Sequence, residues 1–101
     1  MVKVAVAQFA PGGQPDANLG EVQALIAEAA AQGAELVVLP EYASYFEQRM
    51  GPAFAEHAQP LDGTFTEGVR EAAAATGVTA VFGLVETAEG QRFRNTAVAV
   101  S

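Results

Sequence analysis

Apolar and polar positions change their period along the chain, and each change marks an element. Residues 2–9, Val-Lys-Val-Ala-Val-Ala-Gln-Phe, are apolar on both faces of an extended run, which predicts a strand covered on both sides. Pro11-Gly12-Gly13-Gln14-Pro15 closes it as a loop. Leu19, Val22, Leu25, Ile26, Ala29 and Ala30 then recur at helical period and form one stripe. Asn18 and Glu21 have capping-box spacing, Asp16 is an alternative cap, and Gly33 can end the helix with a positive φ. Residues 35–39 predict a second strand with Leu36-Val37-Val38-Leu39 as its buried run. Strand, helix and strand make a βαβ unit, so the two strands run parallel with a right-handed crossover.

Pro40 ends that strand and Glu41 follows at once. Residues 42–60 mix aromatics with Gly51-Pro52 and Pro60, and predict a loop with one or two short helical turns. Thr64 and Glu67 repeat the capping-box spacing ahead of Phe65, Val69, Ala72 and Ala73, a helix that Gly77 ends. Residues 78–86 and 92–100 predict two strands joined at the Ala88-Glu89-Gly90 turn as an antiparallel hairpin. The order is β-α-β-α-β-β. A mixed sheet with helices on one face leaves its other face uncovered. The expectation is that residues 1–101 are the N-terminal part of one larger, truncated domain.

Composition narrows the chemistry. Half of the 101 residues are apolar, so disorder is excluded, although much of that half is alanine. No cysteine is present, which removes disulfides, thiolate-bound zinc and any cysteine nucleophile from these residues. The net charge is −7, from 12 acidic and 5 basic residues, so no basic stripe for nucleic acid or anionic membrane can form. The apolar runs are too short to cross a bilayer, and residues 1–3 lead straight into a strand. A cytoplasmic protein is expected.

Glu41 is the leading catalytic candidate. Sites in open α/β sheets form outside the carboxyl ends of parallel strands. A carboxylate held there by Pro40 behind a Leu/Val run would be partly desolvated, which makes a better general base. A solvated loop glutamate is the plain alternative. Tyr42 and Tyr45 are placed to line a pocket beside Glu41, or to pack with one wet end. His57, the one histidine, has no partner pattern and reads as structural. Glu86 could pair with Glu41 as a carboxylate dyad. Asn95-Thr96 interrupts an apolar strand, and an Asn buried there needs hydrogen-bond partners. Dinucleotide, P-loop, nucleophile-elbow and metal-site spacings are all absent.

The chain resembles the N-terminal part of the carbon–nitrogen hydrolase, or nitrilase, superfamily over essentially all of its length. Val4-Ala5-Val6-Ala7-Gln8-Phe9 is similar to the family's first strand, and Asn18-Leu19 to the start of its first helix. Ala31-Gln32-Gly33-Ala34-Glu35-Leu36-Val37-Val38-Leu39-Pro40-Glu41 is similar to its first signature. Pro60-Leu61-Asp62-Gly63, Val81-Phe82-Gly83-Leu84-Val85-Glu86 and Arg94-Asn95-Thr96-Ala97-Val98 follow in the family's order.

The resemblance implies an αββα sandwich, of which this chain supplies the N-terminal β-α-β-α-β-β portion. It implies a Glu-Lys-Cys set acting on a small-molecule amide or nitrile, with no cofactor and no metal. Glu41 matches the family glutamate, and Tyr45 is carried as a substrate-binding residue. The family lysine and cysteine have no counterpart, since Lys3 lies at the start of the first strand. The chain alone is therefore expected to be inactive. Leu39-Pro40-Glu41-Tyr42 is similar to the amidase-type branches. Assembly as a homo-oligomer is likewise implied by the resemblance. The alternative is a non-catalytic α/β module that binds a partner or self-associates through its uncovered sheet.

Overall fold

The computed structural model describes all 101 residues. The elements are β1 (Val4–Val6), α1 (Pro15–Ala31), β2 (Leu36–Val38), α2 (Pro52–Glu56), α3 (Thr64–Thr76), β3 (Thr79–Thr87) and β4 (Phe93–Val100). The sheet order is β1-β2-β3-β4; the first three strands are parallel and β4 is antiparallel to β3. Each strand is added on the same side of the last, so two right-handed crossovers put α1 and α3 on one face. That face holds the core: Val22 and Ile26 of α1, Phe65 and Val69 of α3, and Val37, Ala80, Phe82 and Leu84 of the sheet.

The first two strands are shorter than residues 2–9 and 35–39, but their pairing is not. Glu35 N–H donates to Lys3 O (2.8 Å), Ala7 N–H to Val38 O (2.9 Å) and Leu39 N–H to Val81 O (2.8 Å). The first strand was expected to be covered on both sides. It stands instead at the sheet edge, with Val4 52% and Val6 74% exposed. No element packs on their face at that end of the sheet.

Helix ends depart from the capping-box expectations. Pro15 opens α1 at the first helical position, where its missing N–H costs nothing, and Gln14 takes the cap without a side-chain bond. Asn18 therefore falls inside the helix and does other work. At the far end the Lys3 ammonium donates to Gln32 O (2.7 Å), a cation at the negative end of the helix. In α3 the cap is Gly63, not Thr64. The Gln59 side chain serves instead, its Oε1 accepting from Phe65 N–H at 2.8 Å. Gly33 and Gly77 end α1 and α3 with φ of 88° and 77°, as expected.

Candidate active site

β2 ends at Pro40, and residues 41–46 turn back over the end of β3. Gly83 permits this crossing. Its N–H donates to Pro40 O (3.1 Å) and its O accepts from Ser44 N–H (3.3 Å), so one residue holds both arms of the turn. A Cβ on Gly83 would lie 2.5 Å from Tyr42 N and 2.8 Å from Glu41 Cα. Tyr42 sits in the left-handed region with φ 59°, a conformation that costs a non-glycine residue about 1–2 kcal/mol.

Buried polar groups secure the turn from beneath. Ser44 Oγ accepts from Val85 N–H at 2.9 Å. Asn18 accepts from Gly12 N–H and donates to Gly12 O and Ser44 O, at 2.9, 2.8 and 3.0 Å. It ties the loop after β1 to the turn after β2. Every polar atom of its side chain is used, which is the condition for burying an amide.

Aromatic packing holds the outer side. Phe54 of α2 is fully buried and meets Tyr42, Tyr45, Phe46 and Phe93 at ring-centroid distances of 5.1–6.2 Å. Tyr45, expected at the substrate, is 3% exposed, edge-on to Phe54 and stacked on His57 at 4.4 Å. The sheet-end turn buries it among rings, away from the cleft described next. Burial raises its phenol pKa, and the carboxylates of Glu47 and Glu56 add to the rise. His57 Nδ1 donates to Ala53 O (2.9 Å), a structural role.

Glu41 emerges on the face of the sheet opposite α1 and α3, where α2 packs only at the Val85–Phe93 end. It borders a cleft of about 310 Å³ whose walls include Val38, Val81, Ala97 and Asn95. Its side chain is exposed, where partial desolvation was expected, because α1 and α3 lie on the opposite face and the α2 cluster covers only the Val85–Phe93 end of this one. Asn95 Nδ2 donates to Glu41 Oε2 at 2.8 Å. Asn95 is exposed, so the burial that would require partners does not arise. Its partner lies 54 residues away, a pairing that no local pattern could reveal.

The carboxylate dyad does not form. Asn95 and Thr96 are consecutive in β4, so their side chains leave opposite faces of the sheet. Thr96 Oγ1 donates to Glu86 Oε1 at 2.7 Å, which places Glu86 on the face opposite Asn95 and Glu41. A second groove, about 400 Å³, runs between the free edge of β1 and α1. Its charged residues are Lys3, already bonded to Gln32, and Glu28. No group of three or more His, Cys, Asp or Glu could hold a metal ion, and no helix is long and apolar enough to cross a membrane.

Comparison with known proteins shows the family. The carbon–nitrogen hydrolase family model matches residues 3–101. The chain is 39% identical over 80 residues to an omega-amidase of Danio rerio, covering 78% of this chain and 28% of the relative. It is 39% identical over 103 residues to a nitrilase of Pyrococcus abyssi, covering 99% of this chain and 39% of the relative. Its fold superposes on the NitFhit protein of C. elegans with a TM-score of 0.82, at 21% identity, covering 98% of this chain and 26% of that one. The chain thus spans between 28% and 39% of the length of the curated relatives it matches.

Proposed function

The chain belongs to the carbon–nitrogen hydrolase family, and from that premise we propose that residues 1–101 are the N-terminal part of one hydrolase domain in which Glu41 is the general base. The substrate is a small amide or nitrile, the chemistry named for two of the relatives. The observation that carries the reading is the position of Glu41. It stands at the carboxyl end of a parallel strand, its backbone pinned over Gly83, and Asn95 occupies only one of its carboxylate oxygens.

In this reading a cysteine and a lysine are supplied by residues outside these 101. The sequence holds no cysteine, and its single lysine, Lys3, binds the end of α1. Glu41 takes the proton from the cysteine thiol, and the sulfur forms a bond to the amide carbon. The lysine ammonium faces the negative charge that moves onto the carbonyl oxygen. Cleavage of the C–N bond releases the amine, which leaves with the proton held by Glu41. Water then hydrolyses the thioester, Glu41 again acting as base, and the thiol is restored. A nitrile passes through a thioimidate before the same end.

The test is to incubate the full-length protein with small amides and nitriles, and to follow both ammonia release and protein mass. The reading expects turnover, with an acyl adduct on one cysteine, and no ammonia from residues 1–101 alone. Turnover by the 101-residue chain, or by a full-length protein whose cysteines have all been replaced, would overturn it.

A further inference from the structure

We propose that Asn95 is a positioning residue for Glu41, holding Oε2 so that Oε1 alone faces the cleft as the proton acceptor. The inference rests on the reading of Glu41 as general base. It starts from the 2.8 Å bond between Asn95 Nδ2 and Glu41 Oε2, which links two elements 54 residues apart.

The strand register makes this contact reproducible. Asn95 lies opposite Val85 in the β3–β4 ladder. Val85 spends its N–H on Ser44 Oγ and its O on Gln59 N–H, both away from β4. Val85 and Asn95 are therefore a non-hydrogen-bonded pair, the kind whose side chains stand closest. The same residue that fixes Asn95 across the ladder also fixes the turn bearing Glu41, through Ser44. Donor and acceptor are located by one piece of backbone.

The chemistry of the donor fits the task. An amide N–H is neutral, so it orients the carboxylate without pairing its charge. A lysine or arginine in its place would favour the ionised form strongly and weaken the base. Glu41 is the one titratable residue among the walls of the cleft, so nothing else there competes for the proton. Two freely rotating oxygens would share the productive position. One tethered oxygen leaves the other aimed, and misplacement of a reacting group by about 1 Å can cost about 100-fold.

The experiment uses the full-length protein and compares Asn95→Ala and Asn95→Asp with Glu41→Gln. Asn95→Ala is expected to lower kcat about 10- to 100-fold with KM within about twofold, since the tether acts on the reacting group. Asn95→Asp puts a second carboxylate against Glu41, and the acid limb of the kcat/KM–pH profile is expected to move upward. Melting temperatures should change little, because Asn95 is exposed. Asn95→Ser, too short to reach Oε2, replaces the alanine variant should that one not fold. Wild-type kcat and an unshifted pH profile in the Asn95 variants, with Glu41→Gln inactive, would overturn this inference alone. An active Glu41→Gln would overturn the reading beneath it as well.

Discussion

The two faces of the sheet are built from the same alternating strands and do opposite things. On the helix side, Val37, Ala80, Phe82 and Leu84 are at most 1% exposed and interlock with α1 and α3. On the other side, Val4 and Val6 lie open, and Glu41 and Asn95 meet beside Val81 and Ala97. The closed face carries the larger core, and the open face, packed by the α2 aromatic cluster only at its Val85–Phe93 end, carries the candidate chemistry. A carboxylate base needs access to its proton donor, and the helix side offers none.

The largest expected effect breaks the closed face. Phe82→Ala should cost about 3–5 kcal/mol, because the ring is buried against Phe65 and its cavity cannot close. Val6→Ser, 74% exposed, should stay within about 0.5 kcal/mol in the 101-residue chain. Urea unfolding of both variants measures the contrast directly. Equal losses would mean that the β1 end of the open face is packed after all.

Gly83 sharpens the same contrast at the seam between the faces. Gly83→Ala forces a methyl into the backbone of Glu41 and Tyr42, and should cost about 1–3 kcal/mol. In the full-length protein it should also depress turnover, since the carbons that move belong to Glu41. Gly20→Ala, inside α1 with no atom within 4 Å of the added carbon, should instead stabilise by up to about 1 kcal/mol. Opposite signs for the two changes are the prediction, read from thermal melts.

The smallest effect is confined to alkaline pH. The folded state holds the Tyr45 proton above the ordinary value of 10.0, through burial first and then Glu47 and Glu56. The unfolded chain gives up that proton at the ordinary value. Stability is therefore full below about pH 10 and declines as pH rises toward the raised value. Tyr45→Phe removes the ionisation, so its unfolding free energy should fall less between pH 9 and about pH 11 than that of the parent. A parallel decline in both proteins would contradict it.

The fold was legible wherever the signal was local. Helical stripes, the pairing of parallel strands across a helix, Gly33 and Gly77 as helix ends, and the hairpin after Thr87 all follow from the periods and backbone preferences of single elements and from their order along the chain. Asn18 was misread because a capping-box spacing is local, whereas its partners Gly12 and Ser44 lie on two different loops. Thr64 was misread for a related reason: Gln59, five residues earlier, bends back to take the bond a cap would supply. At the candidate site, the position of Glu41 just beyond a parallel strand was legible from Pro40 and the Leu/Val run before it. Asn95 was not, because only the register of β4 on β3 brings it there. Tyr45 looked like a neighbour of Glu41 in sequence, but the turn over Gly83 sends its ring into the Phe54 cluster.

The most direct measurement of the central claim is turnover by full-length Glu41→Gln, alongside its melting temperature. Glutamine keeps the size of the side chain and removes the base. The account predicts a loss of at least about 100-fold in kcat, the lower range for general-base catalysis, with the melting temperature unchanged because the residue is exposed. Turnover near that of the parent, from an equally stable protein, would contradict it.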